Sequence, residues 1–208
     1  MKTVFFERPI SKRSFSMRSL VFGIGVNDAQ YQTGYSVGGV RFCCPYYAKW
    51  KGMMERCYSK RFKLSNKAYD NCEVCDEWLI FSSFRSWMKD KNWKNKQLDK
   101  DILQDGNKTY SPDNCAFIDK VVNLFVSRGS VGVGKFKVGA CWIKERRKFM
   151  SSCSNPFTKK RETIGYFNTE DEAHNAWRER KNSHAIDLAK TQSDQRVIDA
   201  LVNRYKTN

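Results

Sequence analysis

Between Val131 and Arg161 nine Lys and Arg residues stand against a single acid, Glu145, and they are interleaved with apolar side chains. In Lys135-Phe136-Lys137-Val138, and again in Arg147-Lys148-Phe149-Met150, charged and apolar residues alternate. Strand side chains point to opposite faces in turn, so this pattern predicts short antiparallel strands with one basic face and one face on a core. Thr163-Ile164-Gly165-Tyr166-Phe167 reads as a third strand. The period then changes. Thr169 is a candidate N-cap with Glu170, Asp171 and Glu172 behind it, and Glu172 stands three residues on, as a capping box requires. Ala173, Ala176, Trp177, His184, Ala185 and Leu188 form a helical stripe, which predicts a helix covering the apolar face of the strands, its acids held away from the basic sheet.

The whole chain carries the same bias. Its 208 residues include 38 Lys and Arg against 22 Asp and Glu, a formal charge of +16, with a pI near 9.6. That balance favours a polyanionic partner and salt-dependent association, without choosing DNA over RNA. A hydrophobic content of 40% supports one medium core or two small ones and excludes a disordered basic tail. Near the amino end the apolar residues are interrupted by Glu7, Arg8, Lys12, Arg13 and Arg18, so neither a signal-peptide core nor a spanning segment is read there. The cytoplasm is the expected compartment, that of the host cell if the chain is phage-encoded, and the eight cysteines are expected to be reduced there.

Ahead of the basic stretch two helical patterns stand out. Tyr46, Trp50, Met53, Met54 and Cys57 recur at three- and four-residue steps within Tyr46 to Tyr58, as do Trp78, Phe81, Phe84, Trp87 and Met88 within Asp76 to Lys89. Both stripes are read as packing, with Asp76 as the N-cap of the second helix. Residues 1–20 are expected to form a flexible basic arm, and Gly23-Ile24-Gly25 reads as a turn, since it lacks a phosphate-binding glycine frame. Gly and Ser place a linker at 127–132. In residues 191–208, Val197, Ile198, Leu201, Val202 and Tyr205 predict a final amphipathic helix that docks on its own domain or offers an oligomer contact.

Two resemblances follow from these residues. Gly134-Lys135-Phe136, Ala140-Cys141-Trp142-Ile143, Ile164-Gly165-Tyr166-Phe167 and Thr169-Glu170-Asp171-Glu172-Ala173 resemble an AP2 domain of the kind appended to phage and mobile-element homing endonucleases. The likeness implies a domain over 133–190 that lays a three-stranded sheet in the DNA major groove, backed by one helix. It also implies DNA contacts from Lys135, Lys137, Trp142, Lys144, Arg146, Arg147 and Lys148, with Lys159, Lys160 and Arg161 on the second loop. Residues 21–126, through Cys44-Pro45-Tyr46-Tyr47, Trp50 to Tyr58, Cys75-Asp76-Glu77-Trp78 and Leu98 to Cys115, resemble a phage HNH-like endonuclease module. Asp105-Gly106-Asn107 and Asp113-Asn114 stand where such proteins carry their loop and final Asn. The implied fold class is α+β: a small mixed module with two helices, then an antiparallel sheet with a helix.

The nuclease pattern lacks its base. An HNH centre uses a His to activate water beside a divalent metal, and the only histidines, His174 and His184, lie on the helix of the basic domain, where they are read as surface or packing residues. Asp99, Lys100 and Asp101 occupy the place of the His pair. If the centre is active, Asp99, Lys100, Asp101, Asn107 and Asn114 are its candidates, with Mg²⁺ on the carboxylates; the other reading makes the Asp and Asn residues turn-formers. Cys72 and Cys75 have zinc-ligand spacing that Cys57 and Cys115 would complete to a structural site, against a reading of all four as buried thiols. The expected function is sequence-specific binding of double-stranded DNA, with nuclease activity through Asp as the alternative and an RNA-binding or protein-interaction factor third.

Overall fold

The computed structural model describes residues 4–127 and 135–206. From the amino end the chain forms α1 (Lys12–Ser16), β1 (Gly34–Val37), β2 (Val40–Cys43), α2 (Pro45–Tyr58), α3 (Lys60–Ser65), β3 (Glu73–Val74), α4 (Asp76–Leu79) and α5 (Phe81–Lys89). It continues through β4 (Gln97–Asp99), β5 (Thr109–Tyr110), β6 (Ala116–Ile118), α6 (Lys120–Ser127), β7 (Ala140–Ile143), β8 (Lys148–Ser154), β9 (Arg161–Phe167), α7 (Glu170–Ala189) and α8 (Gln195–Arg204). The fold is mixed α and β, and among the described residues no helix is long and apolar enough to cross a membrane. Two compact units divide it: one takes the chain up to Lys94 together with Gly106–Phe117, the other takes Asn95–Asp105 and everything from Ile118 onward. The expected linker lies, apart from Ser127, outside the described residues. The chain instead changes units three times before it, because the buried face of α6, Val122, Phe125 and Val126, belongs to the second unit.

In the first unit α2 and α5 bury the two predicted stripes. Trp50, Met53, Met54, Cys57, Trp78, Phe81, Phe84 and Met88 are fully buried, each large side chain contributing roughly 1.5–3 kcal/mol. The Trp50 indole donates to the Trp78 carbonyl at 2.7 Å, which satisfies its one polar atom inside the core. The second predicted helix is two helices. Ile80 is extended between α4 and α5 (φ −96°, ψ 123°) because it bridges Val26: the Val26 N–H donates to Leu79 O and its carbonyl accepts from Phe81 N–H. Asp76 sits in the first turn of α4 and Cys75 is the cap residue. The strands β1 and β2 close through Gly38 and Gly39, whose φ values of 56° and 78° suit the two-residue turn that joins Val37 to Val40.

The amino-terminal segment is docked, contrary to the expected arm. Arg18 donates to the carbonyls of Asn27, Ala29 and Tyr31 at 2.9, 2.6 and 2.7 Å, Glu7 pairs with Arg85, and Pro9 bridges Tyr31.

The second unit is built on the antiparallel sheet β7-β8-β9. Its first strand is Ala140–Ile143, not the alternating run at Lys135–Val138, whose Lys137 N–H goes to Glu170 instead of to a neighbouring strand. The predicted capping box is present: Thr169 Oγ1 accepts the Glu172 N–H, and the Glu172 carboxylate accepts the Thr169 N–H, at 3.2 Å each. From that start α7 runs twenty residues and buries Ala173, Trp177, Lys181, His184, Ala185 and Leu188. Gly139 lets the chain pass under this helix; with φ +86°, a Cβ there would stand 2.1 Å from Trp177 Cγ. The apolar side of α8, Val197 and Leu201, is buried, and Tyr205 meets Trp177 and Phe125 edge-on. The final helix therefore docks on its own unit, while Ile198 and Val202 of its apolar stripe stay half-buried.

Candidate nucleic-acid interface

Register sorts the sheet residues by face. Cys141, Met150 and Tyr166 are direct partners across the three strands, as are Trp142, Phe149 and Phe167, so the two sets point to opposite sides. On β8 the side of Phe149 continues through Ser151 to Cys153, which is opposite Glu162. Glu162 accepts from Arg180 and His184 of α7, so this is the helix side. The other side, with Cys141, Tyr166 and Lys148 exposed, is open.

The predicted contact residues divide accordingly. Lys144 and Arg146 lie on the turn between β7 and β8, Arg147 follows in the left-handed conformation (φ 48°), and Lys148 opens β8; all are exposed. The Arg146 guanidinium stands 4.4 Å over the Tyr166 ring, which holds a long cation in one place on the open face. At the far end Lys159 and Lys160 are exposed on the β8-β9 loop, and Arg161 donates to Ser152 Oγ at 2.7 Å. Asn155 shapes that loop by accepting the N–H groups of Phe157 and Thr158. Lys135 is exposed, with its ammonium 5.9 Å from the Phe136 ring centre.

Two expected contacts, both exposed, also have partners within the unit. Trp142 packs against Phe149, ring centres 4.9 Å apart, on the helix side of the sheet. Lys137 pairs with Asp171, whose carboxylate raises the lysine pKa by hydrogen bond and charge. The acids that open α7 are therefore not all held away from the basic residues. Tyr166 was absent from the expected contacts. Strand alternation in Thr163–Phe167 shows two faces, but only its register with Met150 and Cys141 says which face is open.

A cavity of about 840 Å³ lies between α6 and the part of the sheet edge next to Gly139, just ahead of β7. Lys120, Lys159, Arg161 and Lys181 are among its lining residues, and among the described residues no acid is. Lys181 is buried; its ammonium donates to the Phe125 carbonyl at 3.1 Å and stands 3.3 Å from the Phe125 ring centre. Burial lowers its pKa to about 8.

The expected nuclease residues fall in different units: Asp99, Lys100 and Asp101 in the second, Asn107 and Asn114 in the first. Asp99 Oδ1 accepts the N–H groups of Asp101 and Ile102 at 2.9 and 2.7 Å. Burial pushes its carboxyl pKa up, against the two N–H donors. Lys100 Nζ lies 2.6 Å from Asp101 Oδ1. Asn107 locks its own turn, donating to Thr109 O at 2.8 Å and accepting the Thr109 N–H at 3.2 Å, while Asn114 Nδ2 approaches Asn107 Oδ1 at 3.4 Å. These residues do not fit a catalytic Mg²⁺. Among the described residues neither Asp99 nor Asp101 belongs to a group of three metal-ligating side chains, and Asp99 Oδ1 serves the backbone of its own turn.

The expected zinc set is not assembled. Among the described residues the single group of three or more ligand-type side chains is Cys153, Glu162 and His184. Cys57 and Cys115 are core residues, and the Cys72 thiol points to Ala68 O at 3.8 Å.

Comparison of the chain with protein-family models, with curated proteins and with solved structures finds no match.

Proposed function

We propose that this protein binds double-stranded DNA at specific sequences through the open face of the β7-β8-β9 sheet, an AP2-like reader on a frame derived from an HNH-like phage homing endonuclease whose nuclease centre is degenerate. The supporting observation is the placement of charge along β8. Lys144, Arg146, Arg147 and Lys148 cluster at one end, and Lys159, Lys160 and Arg161 at the other. Six residue steps from Lys148 to Ser154 at roughly 3.4 Å each put these ends about 20 Å apart. The major groove is about 12 Å wide, so cations at the two ends reach phosphates on both of its walls. The strand face between them, with Cys141, Met150, Thr163 and Tyr166, then lies against base edges. Phosphate contacts set register and affinity, while the side chains between carry sequence preference. Binding without cutting is favoured by the Asp99 carboxylate, which closes a turn.

The test incubates the purified chain with DNA of its source genome, in Mg²⁺ or Mn²⁺ and in EDTA, and maps protected and broken positions by sequencing. Protection at discrete sites without metal-dependent breaks is expected. Breaks at one site only with metal would replace this reading by an active endonuclease, and equal affinity for single-stranded RNA and random DNA would refute specific recognition.

A further inference from the structure

On the helix side of the sheet, Cys153 of β8 and Glu162 of β9 are direct cross-strand partners, so their side chains leave the sheet side by side. His184, on the buried stripe of α7, brings Nε2 to 3.1 Å from Glu162 Oε2. The sulfur, one carboxylate oxygen and one imidazole nitrogen all lie within 4.8 Å of one another. Three chain segments far apart in sequence thus converge three donor atoms of different chemistry on one point.

We propose that Cys153, Glu162 and His184 form a zinc site that fastens α7 to β8 and β9. Thiolate and imidazole select a borderline metal such as Zn²⁺ over Mg²⁺ or Ca²⁺. Oxygen and nitrogen ligands about 2.0–2.1 Å from a tetrahedral zinc stand roughly 3.3 Å apart, and a thiolate at about 2.3 Å stands roughly 3.5 Å from either. The present 3.1 Å between Nε2 and Oε2 already matches such an edge, and about an ångström of closure brings in the sulfur. The carboxylate is also held from outside. Arg180, one turn before His184, donates to both Glu162 oxygens at 2.9 and 3.2 Å, and Asn155 donates to Oε1 at 2.6 Å. Outer partners of this kind orient a ligand and are expected around a built metal site. Cys153 also lines the 840 Å³ cavity, which supplies a route in and room for water as fourth ligand. On binding, the thiol proton leaves to solvent as the sulfur–zinc bond forms, and the Nε2 proton that now faces Glu162 leaves as well, with Nδ1 carrying the ring N–H, so that the Nε2 lone pair meets the metal. The site lies on the side of the sheet away from its open face, so it acts on the integrity of the unit whether or not that face binds DNA.

Titration of the full-length protein, freed of metal with EDTA, with Co²⁺ as a spectroscopic substitute tests the site. One equivalent of Co²⁺ is expected to bind with a thiolate-to-cobalt charge-transfer band and the intense visible bands of tetrahedral cobalt, both removed by one equivalent of Zn²⁺. Cys153→Ser is expected to lose the charge-transfer band. X-ray absorption of the zinc-loaded wild-type protein needs no variant and is expected to show one sulfur with nitrogen and oxygen ligands. Absence of the band, its persistence in Cys153→Ser, or a shell of several sulfurs would each overturn the assignment, the last two by placing the metal on other cysteines.

Discussion

Lys181 carries the most quantitative prediction. Its ammonium is buried against Phe125 and Tyr205, and burial lowers its pKa from 10.5 to about 8, with Cys153 acting to raise it and Arg204 to lower it further. Between those two values the unfolded chain still holds the proton while the folded protein has released it. Unfolding therefore takes up a proton, and stability rises as pH rises from about 8 to 10.5. A displacement of about 2.5 units at about 1.36 kcal/mol each gives an upper figure of roughly 3 kcal/mol. The Phe125 ring face opposes it, because a desolvated ammonium over a ring gains about 2 kcal/mol that favours the charged form. The expected rise is thus about 1–3 kcal/mol. The assay is urea unfolding of the wild type and of Lys181→Met in metal-free buffer at several pH values from 7.5 to 10.5. Subtracting one curve from the other cancels the titrations the two proteins share, leaving a gap that changes with pH in the direction that favours the wild type. Parallel curves over the whole range would refute the reasoning.

Replacing Arg146 and Arg147 by Ala is expected to lower the slope of log affinity against log salt by about 1.8, two phosphate contacts at about 0.9 each, and an unchanged slope in a filter-binding titration rules that turn out of the interface. Gly139→Ala combines a disfavoured φ with a Cβ inside the Trp177 ring and is expected to cost roughly 2–4 kcal/mol in chemical denaturation, whereas Gly38→Ala, which meets no atom, costs about 1 kcal/mol. Asp99→Ala removes the acceptor of two backbone N–H groups and is expected to destabilise by about 1–3 kcal/mol while Asp99→Asn, which keeps an acceptor oxygen, loses less. DNA affinity measured on both variants stays within twofold of the wild type if the residue serves only its turn.

The carboxyl-terminal part of the fold was legible where local rules suffice. Thr169 with Glu172 announces the start of α7, and the stripe from Ala173 to Leu188 gives its buried side. Lys135–Val138 has the alternation of a strand without the partner of one, because period reports side-chain direction and not where an N–H finds its acceptor. The same limit explains Ile80. Apolar spacing runs on through it, while a backbone pairing with Val26, far earlier in the chain, breaks the helix there. Candidate sites were harder for the same reason. Basic residues at both ends of β8 are visible in the sequence, but their faces depend on a register that includes a bulge at Ser151 and Ser152. Cys153, Glu162 and His184 share no motif, and nothing short of that register brings them together. At Asp99 the sequence offered a metal ligand or a turn-former, and the geometry supports the second.

The guanidinium of Arg18 does for its neighbourhood what a missing strand would have done. The run from Asn27 to Gln30 lies in no strand, yet the carbonyls of Asn27, Ala29 and Tyr31 converge on one planar fork. Lysine has the charge but not the fork, so Arg18→Lys strands part of that carbonyl set. Residue 18 is thereby a piece of secondary structure carried by one side chain, and shortening the chain past it removes the shared donor of three carbonyls, not a tail.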